Sequence, residues 1–167
     1  MKFADSFKSF LIIAIIVMLW HYISFKIVSC QENSFFYRED NVLNEIFFLK
    51  KEKFYENIFK IKYWKDKIPQ YVSKNGFSKK KIECFSLDYL KKFISETYRA
   101  EINHFLCCLI IPFLFFGEYK TISAVVSFLI VLGNVPCILI QRYNRFRIRR
   151  IILKIKRKRG AIWISKN

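Results

Sequence analysis

The sequence predicts an all-α integral membrane protein, and three observations predict it. The net charge is +17, from 30 Lys and Arg against 13 Asp and Glu, yet 53% of the residues are apolar and 19 of them are Phe. The two properties are segregated, with apolar blocks at Phe10–Trp20, Phe105–Phe116 and Ile122–Ile140 and positive charge between and after them. Four Gly and three Pro in 167 residues argue against long loops and against Gly-rich phosphate cradles. A soluble basic domain would carry fewer apolar residues, and a disordered basic tail far fewer. The architecture expected is an N-terminal span, amphipathic surface helices, a C-terminal helical hairpin in the bilayer and a basic amphipathic tail helix.

The first segment, residues 1–30, holds a 17-residue apolar run, Ser9–Phe25, bracketed by Lys8 and Lys26. That is the short end of a bilayer span, and Trp20 and Tyr22 suit an interfacial belt. Ile27-Val28-Ser29-Cys30 resembles a lipobox, but His21 and Lys26 interrupt the apolar run before it, so an uncleaved anchor is the expected reading. Residues 31–99 form the one long polar region. Phe54, Ile58, Ile61 and Trp64 sit at mixed helical spacing, Asn75-Gly76 marks a turn, and Ser86 caps a helix over Leu87–Arg99 with Asp88 in its first turn. Leu90, Phe93, Ile94 and Thr97 would share one face of that helix. Short amphipathic helices on the cytoplasmic face of the membrane are expected here.

Residues 100–141 are expected to form the membrane hairpin. Its first limb, Ile102–Gly117, is short at 16 residues and contains Pro112, and a re-entrant pair is the alternative; Glu118–Thr121 is the turn, and Ile122–Ile140 is long enough to cross. The tail, 142–167, follows Gln141 with eleven Lys and Arg and no acid. Ile148, Ile151, Ile152 and Ile155 recur at helical spacing, so a basic helix lying on an anionic leaflet is expected. The positive-inside rule then makes the tail cytoplasmic in the cell membrane, with two or three spans; Lys2 and Lys8 argue mildly against the external N-terminus that three spans require.

Five Cys without any CxxC give neither a disulfide framework nor a zinc site, and they read as small apolar fillers. No metal and no cofactor is expected. Only two His occur. His21 ends the first span, and His104 begins the second apolar segment with Glu101 one turn before it. A titratable group at membrane depth is costly, so this pair is the functional candidate. His104 would be a general base and Glu101 would orient its ring. A second polar cluster, Gln141-Arg142-Tyr143-Asn144-Arg145, follows a span that contains Asn134. In an antiparallel hairpin it would lie at the depth of Glu101 and His104. Arg99, Asn134, Gln141, Arg142, Asn144 and Arg145 are therefore the candidate substrate-binding residues. Arg147 and Arg149 read instead as lipid-headgroup anchors. Cys107 and Cys108 are the weaker alternative, as nucleophiles.

Tyr98-Arg99-Ala100-Glu101-Ile102-Asn103-His104-Phe105, Asn134-Val135-Pro136 followed by Gln141-Arg142-Tyr143-Asn144-Arg145, and the basic Trp-Lys stretch Phe59–Pro69 resemble the glycosyl-4,4'-diaponeurosporenoate acyltransferase family of carotenoid biosynthesis. The resemblance covers about Lys53 to Gly160; Phe105 and Phe146 depart from the pattern, where Trp and Pro are expected. It implies transfer of a fatty acyl group from an acyl thioester donor to a sugar hydroxyl of a glycosylated lipid or carotenoid acceptor, with membrane lipid as a further partner. The competing reading is a non-enzymatic membrane protein that binds anionic lipid or anchors a partner enzyme. It accounts for the charge but not for a Glu-x-x-His at membrane depth. Nucleic-acid binding has charge alone in its favour, and the tail's attachment to an apolar span makes membrane electrostatics the simpler cause.

Overall fold

The computed structural model describes residues 2–31, 36, 52–68, 77 and 82–164, and among them every regular element is helical. In order they are α1 (Lys2–Ser29), α2 (Glu52–Asn57), a 3-10 turn (Ile61–Tyr63), α3 (Leu87–Cys108), α4 (Ile111–Leu114) and α5 (Lys120–Ile164). The chain forms two compact units: Met1–Glu32 with Arg99–Ile138, and Asn33–Tyr98 with Leu139–Asn167. The expected turn at Asn75-Gly76 lies outside the described residues.

In the first unit, α1 runs antiparallel to the segment that begins at Arg99. Two bonds fix the direction, and a third ties the later segment to itself. Arg99 Nη2 donates to Gln31 O at 2.9 Å, Trp20 Nε1 donates to Leu106 O at 2.8 Å, and Ser123 Oγ donates to Leu114 O at 2.6 Å. Ile110, Leu114, Val126 and Ile130 form the buried core, with Ile13, Val17 and Trp20 packed on it. The expected hairpin limb over 102–117 is not one helix. Pro112 has no N–H to give the carbonyl of Cys108 and its ring crowds that carbonyl, so α3 stops there and the one-turn α4 follows, with Pro112 in the first turn where it is tolerated.

Two helices, Ser6–Ser29 and Lys120–Lys158, are long and apolar enough to cross a membrane. Their outward faces are bare: Ile12, Met18 and Leu19 on α1, and Val125, Phe128, Leu129 and Leu132 on α5, are all exposed. Soluble monomers rarely expose so many large apolar side chains along two helices. The division of the C-terminal region into a span and a separate tail helix is corrected by α5. It is a single helix of 45 residues that continues through Pro136 and on into the basic stretch.

The second unit packs Tyr55, Ile61 and Tyr143 as its core, with Phe54, Trp64, Leu139, Ile140 and Phe146 against them. Trp64 Nε1 closes the basic Trp-Lys stretch on Phe59 O at 2.8 Å. Ser86 caps α3 as the sequence predicts, its Oγ accepting the Tyr89 N–H at 3.3 Å. Leu90, Phe93, Ile94 and Thr97 are buried together, and full burial stabilises by about 1.5–3 kcal/mol for each large apolar side chain. Ile148 and Ile152 are buried too, so this stretch of the apolar stripe is covered by protein rather than by a leaflet.

Candidate active site

His104 projects from α3 two residues before the carbonyl that holds Trp20, and α5 brings Asn134 to it. His104 Nδ1 and Asn134 Oδ1 are 2.9 Å apart, and Asn134 Nδ2 donates to Ile130 O at 2.8 Å. The second bond settles the first. With its amide nitrogen turned to a carbonyl, Asn134 presents only an acceptor to the ring, so Nδ1 carries the proton and donates. In the neutral ring that arrangement leaves the lone pair on Nε2. Asn134 is 7% exposed, and His104 is half-buried and reachable.

Glu101, one turn earlier on α3, is buried beside this pair in sequence and on the same unit. Asn103 Oδ1 is buried with no hydrogen-bond partner, an acceptor left for a hydroxyl. Arg99, midway along α3, donates to Gln31 O just past the end of α1. His21, the other histidine, donates from Nδ1 to Val17 O at 2.9 Å, an i−4 tie within α1. Cys107 is buried and Cys108 packs against the apolar core, as fillers would.

Of the later cluster, Gln141, Asn144 and Arg145 are buried and Arg142 is half-buried, all in the second unit. The α5 residue that meets His104 is Asn134, two turns before Gln141. Arg145 stacks its guanidinium 3.4 Å from the centre of the Tyr98 ring, and its Nε donates to Thr97 Oγ1 at 3.3 Å. Arg149 Nη2 donates to the Tyr98 hydroxyl at 2.9 Å, a structural contact where the sequence predicts a headgroup anchor.

Sequence reasoning missed a carboxylate pair on α2. Glu56 Oε1 accepts from Lys62 Nζ at 2.8 Å and from the Tyr143 hydroxyl at 3.2 Å, and Glu52 pairs with Arg150. Burial pushes the Glu52 carboxyl above the usual range against the pull of Arg150, while the Lys62 ammonium holds Glu56 below it. Glu52 and Glu56 lie at i and i+4, the only signal that would have paired them, and no sequence pattern ties them to Tyr143.

The chain thus combines two membrane-length helices with an oriented histidine bonded to a buried amide. Residues 33–154 match the glycosyl-4,4'-diaponeurosporenoate acyltransferase family, most of the chain, and the protein belongs to that family; it is an acyltransferase. Similar proteins include the glycosyl-4,4'-diaponeurosporenoate acyltransferases of Staphylococcus aureus strain MRSA252, 29% identical over 127 residues, and of strain Newman, 30% identical over the same length. Each of these alignments covers 74% of this chain and 76% of the relative. No solved structure matches the chain.

Proposed function

We propose that this protein is a cell-membrane enzyme that esterifies a fatty acyl group onto a sugar hydroxyl of a glycosylated lipid or carotenoid, an acceptor of the glycosyl-4,4'-diaponeurosporenoate kind. The observation that carries the reading is the His104–Asn134 pair. His104 Nε2 takes the proton of the attacking hydroxyl as its oxygen bonds to the acyl carbonyl of a thioester donor. The tetrahedral adduct then expels the thiolate, which recovers the proton from His104, leaving ester and thiol. Glu101 offsets the positive charge that the ring carries between the two steps. Asn103 Oδ1 accepts from a neighbouring sugar hydroxyl. On the second unit, Gln141, Arg142, Asn144 and Arg145 are the candidate contacts for the polar part of a bound lipid. The bare faces of α1 and α5 support a bilayer position for both helices, and the eleven Lys and Arg of the last stretch favour a cytoplasmic C-terminus. A protein that merely bound anionic lipid would have no use for an oriented imidazole.

The test compares lipid extracts of cells carrying the wild-type protein, His104→Gln or His21→Gln, read by mass spectrometry for acyl ester product. A positioned general base contributes about 10²–10⁴-fold, so His104→Gln should remove nearly all product at unchanged membrane abundance. His21→Gln, which loses only a local tie, should retain it. Full product from His104→Gln at equal abundance would overturn the mechanism and make Cys107 and Cys108 the next positions to change.

A further inference from the structure

The first unit holds a cavity of about 500 Å³ that the transfer chemistry does not use. Its wall is built by Ile13, Ile16 and Trp20 of α1, by Ile110 and Leu114, and by Gly117 at the far end. Resting on the acyl-transfer reading, we infer that this cavity holds the hydrocarbon chain of the acyl donor and limits its length.

Position, length and chemistry favour that occupant. The Trp20 end of the cavity is the end toward His104: the Trp20 indole is fixed on Leu106 O, two residues past His104 on α3. From there the cavity follows α1 back to Ser9, eleven residues, which at a rise of about 1.5 Å per residue is about 16 Å, room for a saturated chain of about a dozen carbons or slightly more. The wall is almost wholly apolar. Ser123, one of its few polar residues, has its hydroxyl committed to Leu114 O. A sugar would find few partners along this wall, whereas each methylene that enters it gains about a factor of four. The far end, at Gly117, Glu118 and Tyr119, is where the chain must stop.

Gly117 makes the inference testable. No described glycine has a positive φ, and a Cβ at Gly117 would meet nothing closer than Leu114 O at 3.9 Å. The backbone therefore accepts a side chain that plugs the far end. In membranes containing the protein, a long-chain fatty acid bearing a diazirine at its methyl end should label the peptide around Gly117 on illumination, and Gly117→Leu should abolish that label. In cells supplied with short, medium and long saturated fatty acids, Gly117→Leu should shift the ester products toward shorter chains by about fourfold per excluded methylene. Ile16→Ala, which widens the wall, should shift them toward longer chains. Absence of the label from the wild-type protein, or an equal loss of product at every chain length in both variants, would overturn the inference. Label without any ester would uphold the cavity and overturn the transfer reading on which its role rests.

Discussion

Asn134→Leu isolates the contact through which His104 is proposed to act as a base. The substitution keeps side-chain volume and removes both the acceptor for Nδ1–H and the donor to Ile130 O. Ile130 O keeps its place in the helix ladder, and Leu favours a helix more than Asn does, so abundance should hold. The imidazole fares worse: its N–H has lost the partner 2.9 Å away that favours the tautomer protonated at Nδ1. Stripping one partner from a largely buried hydrogen bond costs about 1–3 kcal/mol. At a factor of ten for each 1.36 kcal/mol, that is a rate loss of about 5- to 150-fold, well inside the general-base contribution of about 10²–10⁴-fold. The assay is initial rate of ester formation in isolated membranes, normalised to protein, for the two single variants and the double. If Asn134 acts only through the ring, Asn134→Leu should cost almost nothing more in the His104→Gln background. An equal loss in both backgrounds would refute the reasoning, and so would a single variant with undiminished rate.

Arg145→Leu should destabilise the detergent-solubilised protein by about 2 kcal/mol, because a desolvated cation over an aromatic ring is worth about that much; an unshifted thermal midpoint would mean that the stack with Tyr98 carries no stability. Glu52 has a raised pKa in the fold, so the native state binds the extra proton and stability falls as pH rises from the ordinary carboxylate range through the raised value. Glu52→Gln should flatten that fall and leave the protein at least as stable at neutral pH, since its partner Arg150 is largely exposed and their pairing contributes little; thermal unfolding across that range checks both points. Glu56 runs the other way, its stabilisation present above the ordinary range and lost as pH falls through its lowered value, so Glu56→Gln should be most harmful near neutrality. An enzyme reporter fused after Asn167 should be active only in a cytoplasm-sensing format, and an external signal would reverse the orientation.

Much of the helical content was legible because single residues announce it. Ser86 with Asp88 started α3 where the sequence put it, and Leu90, Phe93, Ile94 and Thr97 are the face that is buried. The end of α3 was misplaced because hydropathy alone read 102–117 as one limb, when Pro112 acts four residues upstream on the carbonyl of Cys108. The long α5 was divided for the converse reason: a change from apolar to basic side chains alters what surrounds a helix, not whether its backbone continues. Both members of the His104–Asn134 pair were chosen from the sequence, but not as partners. The likelier partner by spacing was Glu101, and only the antiparallel packing of α3 and α5 brings a residue 30 positions away within bonding reach. The Arg145–Tyr98 stack and the Glu52–Glu56–Tyr143 group were hidden for the same cause, as each joins α5 to a distant helix.

Trp20, Ile16 and Ile13 lie before residue 33, where the family match begins. If the cavity takes the acyl chain, one wall of the part that measures the lipid is written outside the stretch that carries His104 and Asn134. A leading helix is free to drift as long as it remains apolar, and a single bulky replacement along one turn of it would alter the tail that decorates the product while His104 and Asn134 stay untouched. Lineages could in that way match the fatty ester they make to the fluidity of their own membranes without reinventing the reaction.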